Sequence, residues 1–264
     1  MDDKAGRVQV CLETRSRGLV AFVTIDRQGR LNALTAALMD RLRAEIEKLG
    51  RNDELRALVL TGAGERAFIG GADISEMAEL DASSARAFIM RVHDCCAALR
   101  DLPVPVIARI HGYAFGAGLE IAAACDLRLA SHAATFGMPE VRLGIPSVVE
   151  AALLPTLIGW GRARRLLLLG ETCSAAEAER WGLVERVVPR QALDEAVQEW
   201  LGFLMECGPG AIRLQKRLIR QWESLPLSEA IAAGVDCFVE AWRAAEPRLA
   251  MQSFLAERAR RRQV

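Results

Sequence analysis

The stretch PVPVIARIHGYAFGAGLEIAAACDLRLAS, residues 103–131, changes its local character three times. PVPVIARIHG is a short apolar run with prolines at its start, and it reads as a strand. GYAFGAGLE, residues 112–120, places three glycines within its first seven residues. Glycines there admit unusual backbone angles and leave amide N–H groups uncovered. The apolar run that follows reads as a buried helix, and DLRLAS as another strand. Strand, glycine-rich turn, helix and strand together indicate an α/β protein. One acid, Glu120, stands in the first turn of that helix, beside Leu119, Ile121 and Ala122. An acid there can serve as a helix-dipole partner. In a buried helix, however, a carboxylate is unfavourable unless paired, and its pKa rises.

Working outward, VQVCLET and GLVAFVTI read as two strands joined by the turn RSRG. LTAALMDRLRAEIEKLG has apolar residues at helical spacing and ends on Gly50, a C-cap residue type. RALVLTG reads as a short buried strand and SARAFIMRVHDCCAALRDL as an amphipathic helix. ATFG is another short strand. Beyond residue 140 the chain reads as mainly helical, with a capping box at Ser174 and Glu177, a stop at Gly182, and helices over 191–206, 209–222, 227–240 and 247–261. The expected organisation is an α/β core over 1–200 and a helical region over 201–264.

The bulk properties exclude several classes. The chain has 264 residues, 52% hydrophobic and 26% charged, which suits one large domain with an appendage. Its net charge of zero argues against nucleic acid or an anionic membrane as a partner. Seven cysteines, at 11, 95, 96, 125, 173, 207 and 237, form no C-x-x-C pair and point to reduced thiols in a cytoplasmic compartment. MDDKAGRVQV has no apolar core of a secretory leader, and no uncharged run reaches the ~18 residues of a membrane helix. His93, His111 and His132 lack metal-ligand spacing, so no metal is expected.

TGAGERA, residues 61–67, matches a relaxed G-x-G-x-x-A dinucleotide fingerprint. Such a fingerprint must open a helix, and FIGGADI follows instead, so a surface turn is expected. FIGGADI (68–74) and GYAFGAGLE share a design, a glycine-rich turn that follows a strand by a few residues. They are either two tight turns or two loops that aim amides at one oxygen as an oxyanion hole. A second acid, Glu140, lies in TFGMPEVRLGIP; alone it reads as an exposed loop acid. Ser147 and Glu150 form an S-x-x-E pattern that reads as a capping box before an apolar run. Asp73 serves either as a cap or as a substrate contact, and Asp126 orders the turn after the helix. Phe115, Met77, Met138 and Trp160 are acyl-pocket candidates or ordinary core.

Five segments, RLNAL (30–34), LVLTGAGERAFIGGADISEM (58–77), residues 103–131, ATFGMPEVRLGIP (134–146) and AERWGLVERVVP (178–189), resemble the crotonase (enoyl-CoA hydratase/isomerase) superfamily. The resemblance implies the ClpP/crotonase α/β spiral of repeated ββα units with a helical C-terminal region that assembles trimers or hexamers. It implies acyl-CoA substrates, CoA being part of the substrate rather than a cofactor. It places the oxyanion hole at the amides of Ala72 and Ala117, and the two water-holding acids at Glu120 and Glu140. Glu140 is expected to exchange a proton at Cα and Glu120 to activate water. CoA and substrate contacts map to Arg30, Leu31, Ala67, Gly71, Asp73, Ile74, Ser75, Gly116 and Gly118. Ser75 and Glu257 stand where relatives carry lysines, leaving Arg30 or the terminal arginines for the phosphates. Ser147, Val148 and Val149 replace a glycine-rich stretch and imply a narrower acyl site or a shifted water. Two retained acids favour a hydratase; the alternatives are an isomerase or acyl-CoA hydrolase on the same fold, or a non-catalytic CoA- or RNA-binding relative.

Overall fold

The computed structural model describes residues 5–261; the first four residues and the last three of the arginine-rich tail lie outside it. Two compact units divide between Gly202 and Phe203. In the first, β1 (Arg7–Arg15) and β2 (Gly18–Asp26) form an antiparallel hairpin with Arg15 opposite Gly18. The edge strand β1 is largely exposed, whereas β2 is buried on its inner face. Helix α1 (Ala36–Gly50) starts at Thr35, whose side chain accepts from the Leu38 amide, and buries Leu38, Met39, Leu42, Ile46 and Leu49. Gly50 is the last helical residue rather than a left-handed cap: Arg51 follows in right-handed geometry, so the helix ends without glycine's special freedom.

The chain then winds in three turns of one pattern. β3 (Leu55–Gly62) is followed by β4 (Ala67–Ile69), α2 (Ile74–Met77) and α3 (Ala82–Asp101). β5 (Val106–Ile110) is followed by β6 (Tyr113–Phe115) and α4 (Ala117–Ala124). β7 (Leu127–Ser131) is followed by β8 (Thr135–Gly137) and, after two short 3-10 turns, α5 (Leu154–Leu169). The first strand of each turn joins a six-stranded sheet of order β1-β2-β3-β5-β7-β10; the second joins a four-stranded sheet of order β4-β6-β8-β9. β9 (Thr172–Ser174), α6 (Ala175–Trp181), β10 (Arg186–Val188) and α7 (Leu193–Glu206) complete the series. This is the expected spiral. Every sheet pairing among the repeated strands is parallel, which explains why β3 reads as an unbroken apolar run.

The G-x-G-x-x-A segment is the surface turn between β3 and β4 and opens no helix. Ser174 and Glu177 form the expected capping box, and α6 ends at left-handed Gly182. Asp126 accepts the Val106 amide at 2.7 Å and so joins the turn after α4 to β5. The three-residue strands β4, β6, β9 and β10 are too short to show a period in the sequence. The second unit holds α8 (Pro209–Trp222), α9 (Leu227–Ala241) and α10 (Glu246–Arg261).

Candidate active site

Both glycine turns open onto one cavity of about 530 Å³. Leu34 pairs with Ala72 in a parallel bridge, made by the Leu34 N–H to the Gly71 carbonyl and the Asp73 N–H to the Leu34 carbonyl, each 2.8 Å. That pattern turns the N–H of Ala72 away from Leu34, and Ala72 lines the cavity. Ala117 is the first residue of α4, where an amide has no intrahelical acceptor, and it lines the same cavity. Gly116 makes the approach possible. Its φ of 50° and ψ of −122° are open to glycine alone. A Cβ on it would stand 2.3 Å from Oε1 of Glu140.

Asn32 fixes the first of these turns. It is fully buried with φ 57°, its Oδ1 accepts the Arg27 amide at 2.9 Å, and its Nδ2 donates to the carbonyls of Ala63 and Ala67 at 2.9 and 2.8 Å. Beneath the same loop, Asp73 caps α2 and forms a buried ion pair with Arg27. Burial raises the Asp73 carboxyl, but the guanidinium and the amides of Glu76 and Ser75 outweigh it and hold its pKa below the ordinary value. Asn32→Ala is expected to lower stability by about 3 kcal/mol, at ~1 kcal/mol per buried bond, in a denaturant titration. A loss under about 1 kcal/mol would show that other contacts hold the loop.

Glu120, on the first turn of α4, is 4% exposed, and its Oε1 accepts the Ala151 amide at 3.1 Å. Burial, then the nearby Glu140 charge and the Glu150 charge, push its pKa up to about 8 against the pull of that amide. The protonated form of Glu120 is therefore favoured at neutral pH. Its folded pKa lies above the ordinary carboxyl value of 4.5, so folding takes up a proton between those two values. Stability from this group is full below about pH 4.5 and declines as pH rises through about 8. Glu120→Gln removes the titration, so its melting temperature should gain on the wild type progressively from pH 5 to pH 9. A pH-independent difference would contradict the burial of an ionisable group here.

Glu140 begins the 3-10 turn Glu140–Leu143, is half-buried, and accepts the Ser147 hydroxyl at Oε2, 2.8 Å. Ser147 thus acts on the second acid rather than as a helix cap. The turn Val149–Leu153 has Val148 as its N-terminal flank with no side-chain cap, and Glu150 pairs with His93, so the expected capping box does not form. Val149 has φ 39°, a strained conformation for a β-branched residue.

Both acids line the cavity, with Gly71, Ile74 and Gly116 among the other expected contacts. Ala67 and Gly118 are buried in the scaffold; a Cβ on Gly118 would meet the Ile69 carbonyl at 2.1 Å, so glycine lets α4 lie on β4. Asp73 is held by Arg27, Leu31 is half-buried, and Arg30 and Ser75 are exposed. Met77 and Phe115 line the cavity, Met138 is core, and Trp160 is 65% exposed away from it. Leu143, Ile145 and Val148 form an apolar part of its wall. Arg86, unremarked in the sequence because it sits on an ordinary amphipathic helix, is the basic residue lining the cavity.

The pattern of the family described as Enoyl-CoA hydratase/isomerase matches residues 15–261. The chain is 37% identical over 242 residues to a short-chain-enoyl-CoA hydratase of Clostridium acetobutylicum, covering 91% of this chain and 93% of that one. It is 32% identical over 240 residues to a crotonyl-CoA hydratase of Syntrophomonas wolfei, covering 90% and 92%. A crystal structure of an enoyl-CoA hydratase from Bacillus anthracis superposes with a TM-score of 0.88 at 31% identity, covering 94% of this chain and 96% of that one.

Proposed function

The chain belongs to the enoyl-CoA hydratase/isomerase family, and we propose that it adds water reversibly across the double bond of a 2-enoyl-CoA, with Ala72 and Ala117 as oxyanion hole and Glu120 and Glu140 as the acid pair. The observation that carries this reading is the convergence of two uncommitted amide positions and two carboxylates on one cavity. The thioester oxygen sits against the two N–H groups. As a water oxygen bonds to Cβ, an ionised Glu120 takes one of its protons. The C=C pair shifts to Cα, and negative charge gathers on the thioester oxygen, where fixed N–H dipoles stabilise it. A neutral Glu140, steered by Ser147, gives its proton to Cα. The pair enters with one proton and leaves with one, moved from Glu140 to Glu120. Because burial favours the protonated form of Glu120, the proposed reaction calls for that proton to move before Glu120 activates water. Cβ gains a bond to oxygen and Cα a bond to hydrogen, so the addition is redox-neutral overall and the proposal calls for no redox cofactor.

The cavity wall at Leu143, Ile145 and Val148, together with the names of the relatives, supports short acyl groups. The test is loss of the conjugated enoyl-thioester absorbance on adding protein, across chain lengths. Fastest decay is expected with four-carbon substrates; no decay with any chain would overturn the hydratase reading, and best turnover of long straight chains would overturn the short-acyl preference.

Leu227, Ile231, Val235 and Phe238 form a stripe along α9, each at least 60% exposed. With the family resemblance, that stripe supports a homotrimer or homohexamer. Light scattering should give three or six times the 28.9 kDa chain mass; a stable monomer would contradict it. Among the described residues no helix is long and apolar enough to cross a membrane, and the seven cysteines, all present as thiols, support a reducing, cytoplasmic setting.

A further inference from the structure

Glu150 takes no part in the steps above, yet it is built into the wall behind Glu120. It is 4% exposed, in the turn Val149–Leu153. Its Oε1 lies 2.8 Å from Nδ1 of His93 on α3. Its Oε2 is buried and has no hydrogen-bond partner among the described residues. The next residue, Ala151, donates its amide to Glu120. The side chain of His93 is 43% exposed, so the pair runs from a buried carboxylate oxygen to the protein surface. A buried carboxylate oxygen left unbonded is unfavourable, and a structure that keeps one invites a functional explanation. The titratable groups facing Glu150 are Glu120 on α4 and His93 and Cys96 on α3.

The chemistry supplies a use. Each hydration leaves Glu120 protonated and Glu140 ionised, and the next needs the reverse. Both acids line the cavity, but Glu140 is only half-buried whereas Glu120 is 4% exposed, so an acyl chain lying over Glu120 would cut its remaining contact with bulk water. We propose, resting on the hydratase reading, that Glu150 and His93 form a proton outlet from Glu120 to solvent. The O–H bond of Glu120 breaks and its proton joins Oε2 of Glu150, directly or over one water. In the same step the proton that Glu150 already carries on Oε1, facing Nδ1 of His93, passes to that nitrogen, and His93 releases its Nε2 proton to bulk water; a turn of the Glu150 carboxyl then returns its remaining proton to Oε1, and exchange with water resets the imidazole. One proton leaves, no electrons are transferred, and the proton that Glu140 regains comes from water in the cavity. Glu150 and His93 are positioning residues for this exchange and touch no substrate.

The test is enoyl-CoA hydration by His93→Ala, His93→Gln and Glu150→Gln in weak buffer, with melting temperatures taken alongside. All three should lower kcat about tenfold, less than the hundredfold or more contributed by a group acting in the transition state. Imidazole should restore the kcat of His93→Ala in a concentration-dependent way, leave Glu150→Gln unrestored, and leave the wild type unchanged. Wild-type kcat in His93→Gln, or a loss in His93→Ala that imidazole does not reverse, overturns the outlet alone. A wild type that hydrates no enoyl thioester overturns the hydratase reading and the outlet with it.

Discussion

Glu120→Gln is expected to lower kcat by about 10²–10⁴, and Glu140→Gln by a similar factor, because in the proposed mechanism each removes a proton-transfer partner from the same transition state. The amide of glutamine keeps the shape and much of the hydrogen bonding. At position 120 it can still accept the Ala151 N–H, and at position 140 it can still accept the Ser147 hydroxyl. KM should therefore stay within a few-fold of the wild type, and the loss should appear in kcat. The double variant should be little slower than either single one, since groups that act as a unit are not additive. The pair of losses separates reactions on this scaffold. Hydration needs one acid to take a proton from water and another to supply Cα. Moving a double bond needs a single acid. Full turnover retained by Glu140→Gln, with turnover lost in Glu120→Gln, would favour an isomerase.

The second large effect is at Gly116. Alanine there meets two obstacles, a backbone conformation outside the range of L-residues and a Cβ 2.3 Å from Oε1 of Glu140. Relief requires the turn to relax, which moves the Ala117 amide, or the Glu140 carboxylate to swing away from Ser147. Either movement spoils the site. Gly116→Ala should lower kcat/KM by about 10²–10³, the effect of removing one oxyanion donor, and lower stability by about 1–3 kcal/mol from backbone strain. The control is Gly144→Ala. Gly144 also has positive φ, at 79°, but a Cβ there meets nothing within 4 Å. Gly144→Ala should show strain in stability with a smaller change in turnover. Equal activity losses in the two variants would mean that backbone strain, rather than the position of the amide and acid, sets the effect at Gly116.

The long elements of the fold were readable because their patterns were long. The hairpin, α1, α3 and the C-terminal helices each carry enough residues for a period of two or 3.6 to emerge, and β3 stands out as an unbroken apolar run. The small sheet was not readable in that way. β4, β6 and β8 have three residues each; ATFG at β8 reads as a short strand, whereas β6 lies within what reads as a glycine turn. Those three strands aim the turns, so the placement of the amides came from resemblance rather than from periodicity. The acid at 120 was legible as a carboxylate in an apolar helix. Glu140 was not legible alone, because its partner is seven residues away around a proline-containing turn. Ser147 and Glu150 were misread for a clear reason. Their spacing fits a capping box, but the chain enters the turn from Val148, and both side chains find partners outside it. Asn32 was quoted only as part of a motif; no local rule shows that its side chain ties three backbone segments together.

The proposed chemistry depends on a thioester oxygen meeting two main-chain N–H groups while two acids flank Cα and Cβ. A crystal structure with a non-hydrolysable acyl-CoA analogue measures that directly. The prediction is an acyl oxygen within about 3.1 Å of both the Ala72 and Ala117 nitrogens, with the Glu120 and Glu140 carboxylates sharing one water beside Cβ. An acyl oxygen that contacts neither nitrogen, or an acyl chain lying outside the cavity between the two glycine turns, would contradict it.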